Sequence, residues 1–89
     1  MSLSSLIYGK HFDESIERFK SELLFIEEQF IGWFENRKPQ KAGEMHGRLH
    51  HYYTFNWEFG QISFKFIEDC ELPEEIQVLC LQAFYRNFM

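Results

Sequence analysis

The fold class predicted for this sequence is α+β. It is read as a small single domain over 1–89, in α-β-β-α order, with an antiparallel hairpin sheet packed against two helices. Three observations predict it. Apolar residues recur at helical spacing over 13–36, alternate in twos over 48–59 and again over 61–67, and return to helical spacing over 73–88.

The first helix rests on Phe12, Ile16, Phe19, Leu23, Ile26, Phe30 and Trp33, which alternate between steps of four and three. That spacing keeps one stripe along a helix. Leu24, Ile31 and Phe34 lie beside the stripe and widen it, as expected of a helix that faces a sheet. Asp13 is the expected N-cap, with Glu14 and Glu17 at the positive end of the macrodipole and Arg37 and Lys38 at the negative end. Pro39 ends the helix, because the residue before proline avoids the α region. The polar stretch RKPQKAGEMHG follows and is read as a mobile loop.

The stretch HGRLHHYYTFNWEFG is read as a strand and its turn. Leu49, His51, Tyr53, Phe55, Trp57 and Phe59 fall on one face, with Arg48, His50, Tyr52, Thr54, Asn56 and Glu58 on the other. A hairpin turning at Phe59-Gly60 then sets Trp57 opposite Ile62, Phe55 opposite Phe64 and Tyr53 opposite Phe66, all apolar and all on one face. Gly60 supplies the backbone freedom of the turn. The second helix starts at Pro73, with Glu74 and Glu75 in its first turn. Its buried stripe is Ile76, Leu79, Cys80, Ala83, Phe84 and Phe88, while Val78, Leu81 and Tyr85 lie off that stripe. Two strands alone are marginal in water, so the sheet is expected to be extended, either by an N-terminal strand over 3–8 or by dimerisation. The surplus apolar surface of the second helix favours a homodimer.

Composition narrows the function. The 89 residues carry a net charge of −5 and include 11 phenylalanines. An acidic chain disfavours nonspecific binding to nucleic acid or to an anionic membrane, and suits either simple solubility or a protein partner of basic character. No stretch has the apolar length of a membrane span. The opening residues MSLSSLIYGKHF lack the basic start and long apolar run of a secretory leader, so two reduced cysteines in a cytoplasmic protein are expected.

Side chains that carry chemistry do not fall into a catalytic pattern. On a strand, His46 and His50 share a face with Glu44 but stand about 13 Å apart at the usual strand rise, too far to share a metal, and His51 points to the opposite face. No metal and no cofactor are therefore expected. His51 reads as a core histidine with hydrogen-bonded ring nitrogens. Cys80 reads as a small core residue, and Cys70 lies among carboxylates that oppose thiolate formation. A phosphate-binding glycine loop, a nucleophile elbow and a zinc-protease motif are all missing from the sequence.

The expected function is a small cytoplasmic protein-interaction module without catalytic activity, such as a regulator, an inhibitor or an immunity-type protein. Its expected partner surface is the outward strand face, Arg48, His50, Tyr52, Asn56 and Glu58, continued by Lys65 and by the acidic start of the second helix, Glu71, Glu74 and Glu75. Two alternatives have their own signatures. A ligand-binding domain or enzyme would line a pocket between helices and sheet with His51, Tyr53 and Cys80. A nucleic-acid binder would use the basic 37–48 segment with Tyr52 as a stacking ring.

Overall fold

A computed structural model of the chain describes residues 2–6, 12–58 and 61–89, with side chains for 13–57 and 61–89. The elements are β1 (Ser2–Leu6), α1 (Phe12–Gln29), α2 (Ile31–Glu35), a 3-10 turn (Leu49–Tyr52), β2 (Tyr53–Glu58), β3 (Gln61–Phe66) and α3 (Glu74–Phe88). The α+β class and the helix–strand–strand–helix core are those predicted. The sheet is antiparallel, in the order β1-β3-β2, so the N-terminal strand does extend it. Residues 7 and 8 of the predicted strand, and the predicted turn residues Phe59 and Gly60, lie outside the described residues.

The register is the one that the alternation dictates. Trp57 pairs with Ile62, Phe55 with Phe64 and Tyr53 with Phe66 across β2 and β3. On the other side of β3, Leu3 pairs with Phe64 and Ser5 with Ile62. Ile62, Phe64 and Phe66 are buried beneath the helices. A slip of one residue would turn all three to water, which is why this register is strongly specified.

Phe19 is the centre of the core. It is fully buried, and its ring meets Phe55, Phe64, Phe84 and Phe88 edge to face at 4.9, 5.5, 5.8 and 5.3 Å. One ring of α1 thereby contacts β2, β3 and α3 together. Such geometry adds favourable quadrupole contacts to the area buried. Ile16, Leu23 and Ile26 continue the stripe along α1, and Ile76, Cys80, Ala83 and Phe84 supply the facing stripe of α3. Outside this core, Arg86 Nε donates to Glu22 Oε1 at 2.9 Å, and Asn87 bonds the same carboxylate. These contacts tie the last turn of α3 to the middle of α1.

The predicted single helix over 13–36 is broken. At Phe30 the backbone leaves helical geometry, with φ −116° and ψ 29°. Its N–H is shared between the carbonyls of Ile26 and Glu27, both at 3.2 Å. The short α2 then swings Phe34 into the core, while Phe30 and Trp33 become half-buried. The a/d stripe holds to Ile26 and then shifts by one residue. Gly32 lies just after the break, and an exposed Asn36 side chain bonds its carbonyl at 2.8 Å. Leu24 and Ile31, expected to widen the stripe, are exposed. Helix α1 also begins one residue early, at Phe12, so Asp13 lies in its first turn and not at the cap.

The 37–47 connection is anchored in place. Gly47 N–H donates to Arg37 C=O at 2.9 Å, closing the loop at its neck. The Arg37 guanidinium lies over the Trp33 ring at 4.3 Å. Glu44 and Lys41 bond each other through side chain and backbone, around Gly43 at φ +89°. The close approach at Gly47 requires glycine, since a Cβ there would stand 2.6 Å from Arg37 Cβ.

Two stability outcomes follow. Phe19→Ala should cost about 3–5 kcal/mol in denaturant unfolding, because it vacates a site lined by four other rings. A loss below about 1 kcal/mol would show that this ring is not the centre of the core. Gly47→Ala should cost about 1–3 kcal/mol through overpacking at the loop neck, measured the same way, whereas Gly32→Ala, with open space around it, should cost nothing comparable.

Candidate functional site

The predicted strand over 48–59 begins late, at Tyr53. Residues 49–52 instead form a 3-10 turn, in which His51 N–H donates to Arg48 C=O at 3.1 Å. The cause is a carboxylate from a distant part of the chain. Glu27 on α1 is only 6% exposed, and its Oε1 accepts from Arg48 Nε at 3.0 Å and from Leu49 N–H at 2.7 Å. This double bond to consecutive residues caps the turn and stops Arg48 and Leu49 from continuing a strand ladder. Burial pushes the Glu27 pKa up. The Arg48 and Leu49 bonds, with the positive charge of Arg48, outweigh that effect and hold it below the ordinary carboxylate value of 4.5.

The turn overrides the strand alternation for Tyr52 and for the two histidines. Tyr52, expected to point outward, is buried, with its ring 5.6 Å from Trp33 and 6.3 Å from Phe34. Its carbonyl accepts from Ile67 N–H at 3.0 Å and from the Cys70 thiol at 3.7 Å. His50 and His51, assigned to opposite faces, lie side by side with ring centroids 4.4 Å apart. Both approach one carboxylate of the anchored loop: Glu44 Oε2 is 3.7 Å from His50 Nε2 and 3.1 Å from His51 Nε2.

The His51 side chain is buried, as expected, at 4% exposure. Its Nδ1 accepts from Arg48 N–H at 3.3 Å, so the proton of the neutral ring sits on Nε2. That Nε2 is close to Glu44 but out of line for a hydrogen bond, and it has no hydrogen-bond partner among the described residues. His50 is 44% exposed at its side chain. Burial and the neighbouring His51 lower its pKa below the ordinary 6.5, against the opposing pull of Glu44. Glu44 is itself lowered: some desolvation raises its pKa, and the charge of His51, the Lys41 and Gln40 amides and His50 together outweigh it.

Beside this cluster a surface groove of about 250 Å³ runs between α1 and the start of β2. Glu27, Arg48, His50, Lys20 and Tyr53 supply its polar groups. Lys20 reaches across to lie over the Trp57 ring at 4.6 Å. Burial pushes the Tyr53 hydroxyl up to about 12, so it remains a neutral phenol near neutrality. Cys80 is buried in the core, and burial pushes its thiol up to about 12 as well.

The expected partner surface is therefore divided. Asn56 and Lys65 are exposed on the outer face of the sheet, and the Glu58 backbone pairs with Gln61, its side chain lying outside the described ones. Arg48 and His50 belong to the turn and its groove, away from that strand face, and Tyr52 is in the core. Glu71, Glu74 and Glu75 are exposed around the start of α3. The stacking role considered for Tyr52 is lost with its burial. Sequence reasoning missed Glu27. It had one available signal: it lies four residues after Leu23 and eight after Phe19, on the flank of the buried stripe. Strand alternation puts Glu44 on a face with His46 and His50, where no metal could be shared; it meets His50 and His51 only through the closed loop and the 3-10 turn.

Comparison with protein-family models, with curated proteins and with solved structures gave no match.

The carboxylate clamp has a pH signature. A carboxyl lowered in the folded state contributes stability that is complete above 4.5 and lost as pH falls below it. His50 adds a separate loss that begins near 6.5, because the unfolded chain takes up that proton first. Glu27→Gln should cost about 1–3 kcal/mol near pH 7. It should also flatten the decline below about pH 4.5 while leaving the step near 6.5 in place. Parallel curves for both proteins across that acid range, in urea unfolding, would mean that Glu27 does not carry the charge assigned to it.

Proposed function

We propose that this chain is a small protein-interaction module without catalytic activity, acting as a regulator, inhibitor or immunity-type partner in the cytoplasm. The observation that supports this reading is the outer side of the helix layer. Phe25 is 66% exposed and Tyr85 50% exposed, and Val78 is exposed as well. Phe25 and Leu79 line a shallow groove between α1 and α3, bordered by Glu22, Gln82 and Arg86. Large apolar side chains ringed by charged ones have the composition of a recognition surface.

This moves the favoured surface from the sheet to the helices. The first occupant proposed for it is a second copy of the chain, giving a homodimer. The exposed carboxylates Glu71, Glu74 and Glu75 at the start of α3 remain the proposed dock for a basic protein partner. Free Cys70 and Cys80 suit a reducing compartment, with Cys80 serving as a packing residue. Among the described residues, no helix is long and apolar enough to cross a membrane. The alternative of a ligand pocket has less support. Cys80 is sealed in the core, and the groove at Tyr53 is smaller than most small-molecule sites, which run from about 300 Å³ upward.

Light scattering across a concentration series should give twice the chain mass of 10.9 kDa. Replacing both Phe25 and Tyr85 by aspartate should give a monomer with an unchanged unfolding midpoint, since both side chains are exposed. A wild-type chain that stays monomeric, and that also retains no protein from host lysate at low salt, would overturn the proposal.

A further inference from the structure

We propose that Glu44, His50 and His51 form a binding site for a divalent transition-metal ion, with zinc as the reference ligand. Each residue offers one ligand atom, and the three atoms lie within 4.8 Å of one another. Tetrahedral zinc with bonds of about 2.0–2.1 Å needs ligand atoms about 3.3–3.4 Å apart. The two distances to Glu44 Oε2, 3.1 and 3.7 Å, bracket that spacing. Two imidazoles and one carboxylate are a zinc donor set, and the fourth position is left to water or to a partner's side chain.

An independent observation points into the same space. His51 Nε2 is a buried polar nitrogen with no hydrogen-bond partner among the described residues, and it lies 3.1 Å from Glu44 Oε2. Buried polar atoms are nearly always satisfied, and in the ring's other tautomer this nitrogen turns a lone pair to the space beside Glu44 and His50 with no protein partner to displace. The geometry of the backbone supports the cluster. The 3-10 turn fixes His50 and His51, and the closed 37–47 loop fixes Glu44, so the three ligands approach from two separately anchored segments.

The proton balance sets the strength of the site. Without metal, His51 carries its proton on Nε2, because Nδ1 accepts from Arg48. Zinc takes the Nε2 lone pair, the ring holds its one proton on Nδ1, and the 3.3 Å contact with the Arg48 amide is given up. No proton is released from this ring. A ligating histidine whose second nitrogen lacks an acceptor binds roughly 10–100-fold more weakly than a supported one. The site does not depend on the proposed protein interaction, which uses a different face.

The test is calorimetric titration of the full chain with zinc chloride at pH 7.5, with magnesium chloride as the hard-cation control. One zinc should bind per chain and magnesium should not. His50→Ala and Glu44→Gln should each lower the affinity at least about tenfold, and His50→Ala should do so while keeping the unfolding midpoint in metal-free buffer. His46→Ala should leave the affinity unchanged, because the His46 ring bonds the Gly47 carbonyl outside the cluster. The cobalt-loaded protein should show visible d–d bands without a thiolate charge-transfer band. Failure of the wild type to take up zinc would overturn the proposal. So would wild-type affinity in both variants, or a thiolate band, since the metal would then be held elsewhere.

Discussion

The Glu27 carboxylate is the constraint on which the local architecture depends. A buried charge is costly unless it is bonded, and Glu27 is bonded by the guanidinium of Arg48 and the amide of Leu49. Those two partners are adjacent in the chain, so satisfying the carboxylate also decides the backbone path at 48–49. The strand cannot start there, and a 3-10 turn forms in its place. From that one choice follow the burial of Tyr52, the pairing of His50 with His51, and the opening of the groove beside α1. The Arg48 amide, freed from any strand ladder, finds its acceptor in His51 Nδ1.

The aromatic core supplies the frame in which this clamp can act. Phe19 locks α1 against both β2 and β3 and against α3, so the height and rotation of α1 above the sheet are set before Glu27 is considered. Leu23, four residues after Phe19, is buried on the same stripe, and Glu27 comes four residues later on its flank. Its carboxylate thus reaches the sheet margin at the level where β2 begins. A second anchor lies at the other end of the same loop. Trp33 packs against Tyr52 and under Arg37, and Gly47 closes onto Arg37. Glu44 is carried by this loop and reaches the histidines because the loop is closed at its neck.

The division of the surface has consequences for function. Among the described side chains the outer face of β2 and β3 is polar, with Thr54, Asn56, Gln61 and Lys65 exposed. The helix layer exposes rings, and those rings stand where amphipathic spacing leaves a flank uncovered. A helix that packs on a sheet along one stripe buries that stripe, while Phe25 and Tyr85 lie outside it. Apolar area beyond what the core can absorb is the feature that favours a partner there over one on the sheet. The histidine cluster lies on another part of the molecule, where the chemistry is that of imidazole and carboxylate. The two regions can therefore serve different ligands.

How much was legible in the sequence depended on the range of the interactions. Ile62, Phe64 and Phe66 alternate with polar residues, and Phe19, Leu23 and Ile26 recur at helical spacing, because each periodicity is a local consequence of backbone geometry. The hairpin register and the inner face of α3 followed from the same rule. Residues 49–52 obey the alternation on paper and break it in the fold, because a carboxylate more than twenty residues away captures the amide of Leu49. The interruption at Phe30 likewise turns on which ring fills the core, and Phe34 does so in place of Trp33. Hence the sequence by itself determined the α+β class, the helix–strand–strand–helix order and the buried stripes of α1 up to Ile26, of β3 and of α3. Only the tertiary structure decided that Tyr52 turns inward and that Glu44, His50 and His51 meet, since long-range bonds to single polar atoms leave no period to read.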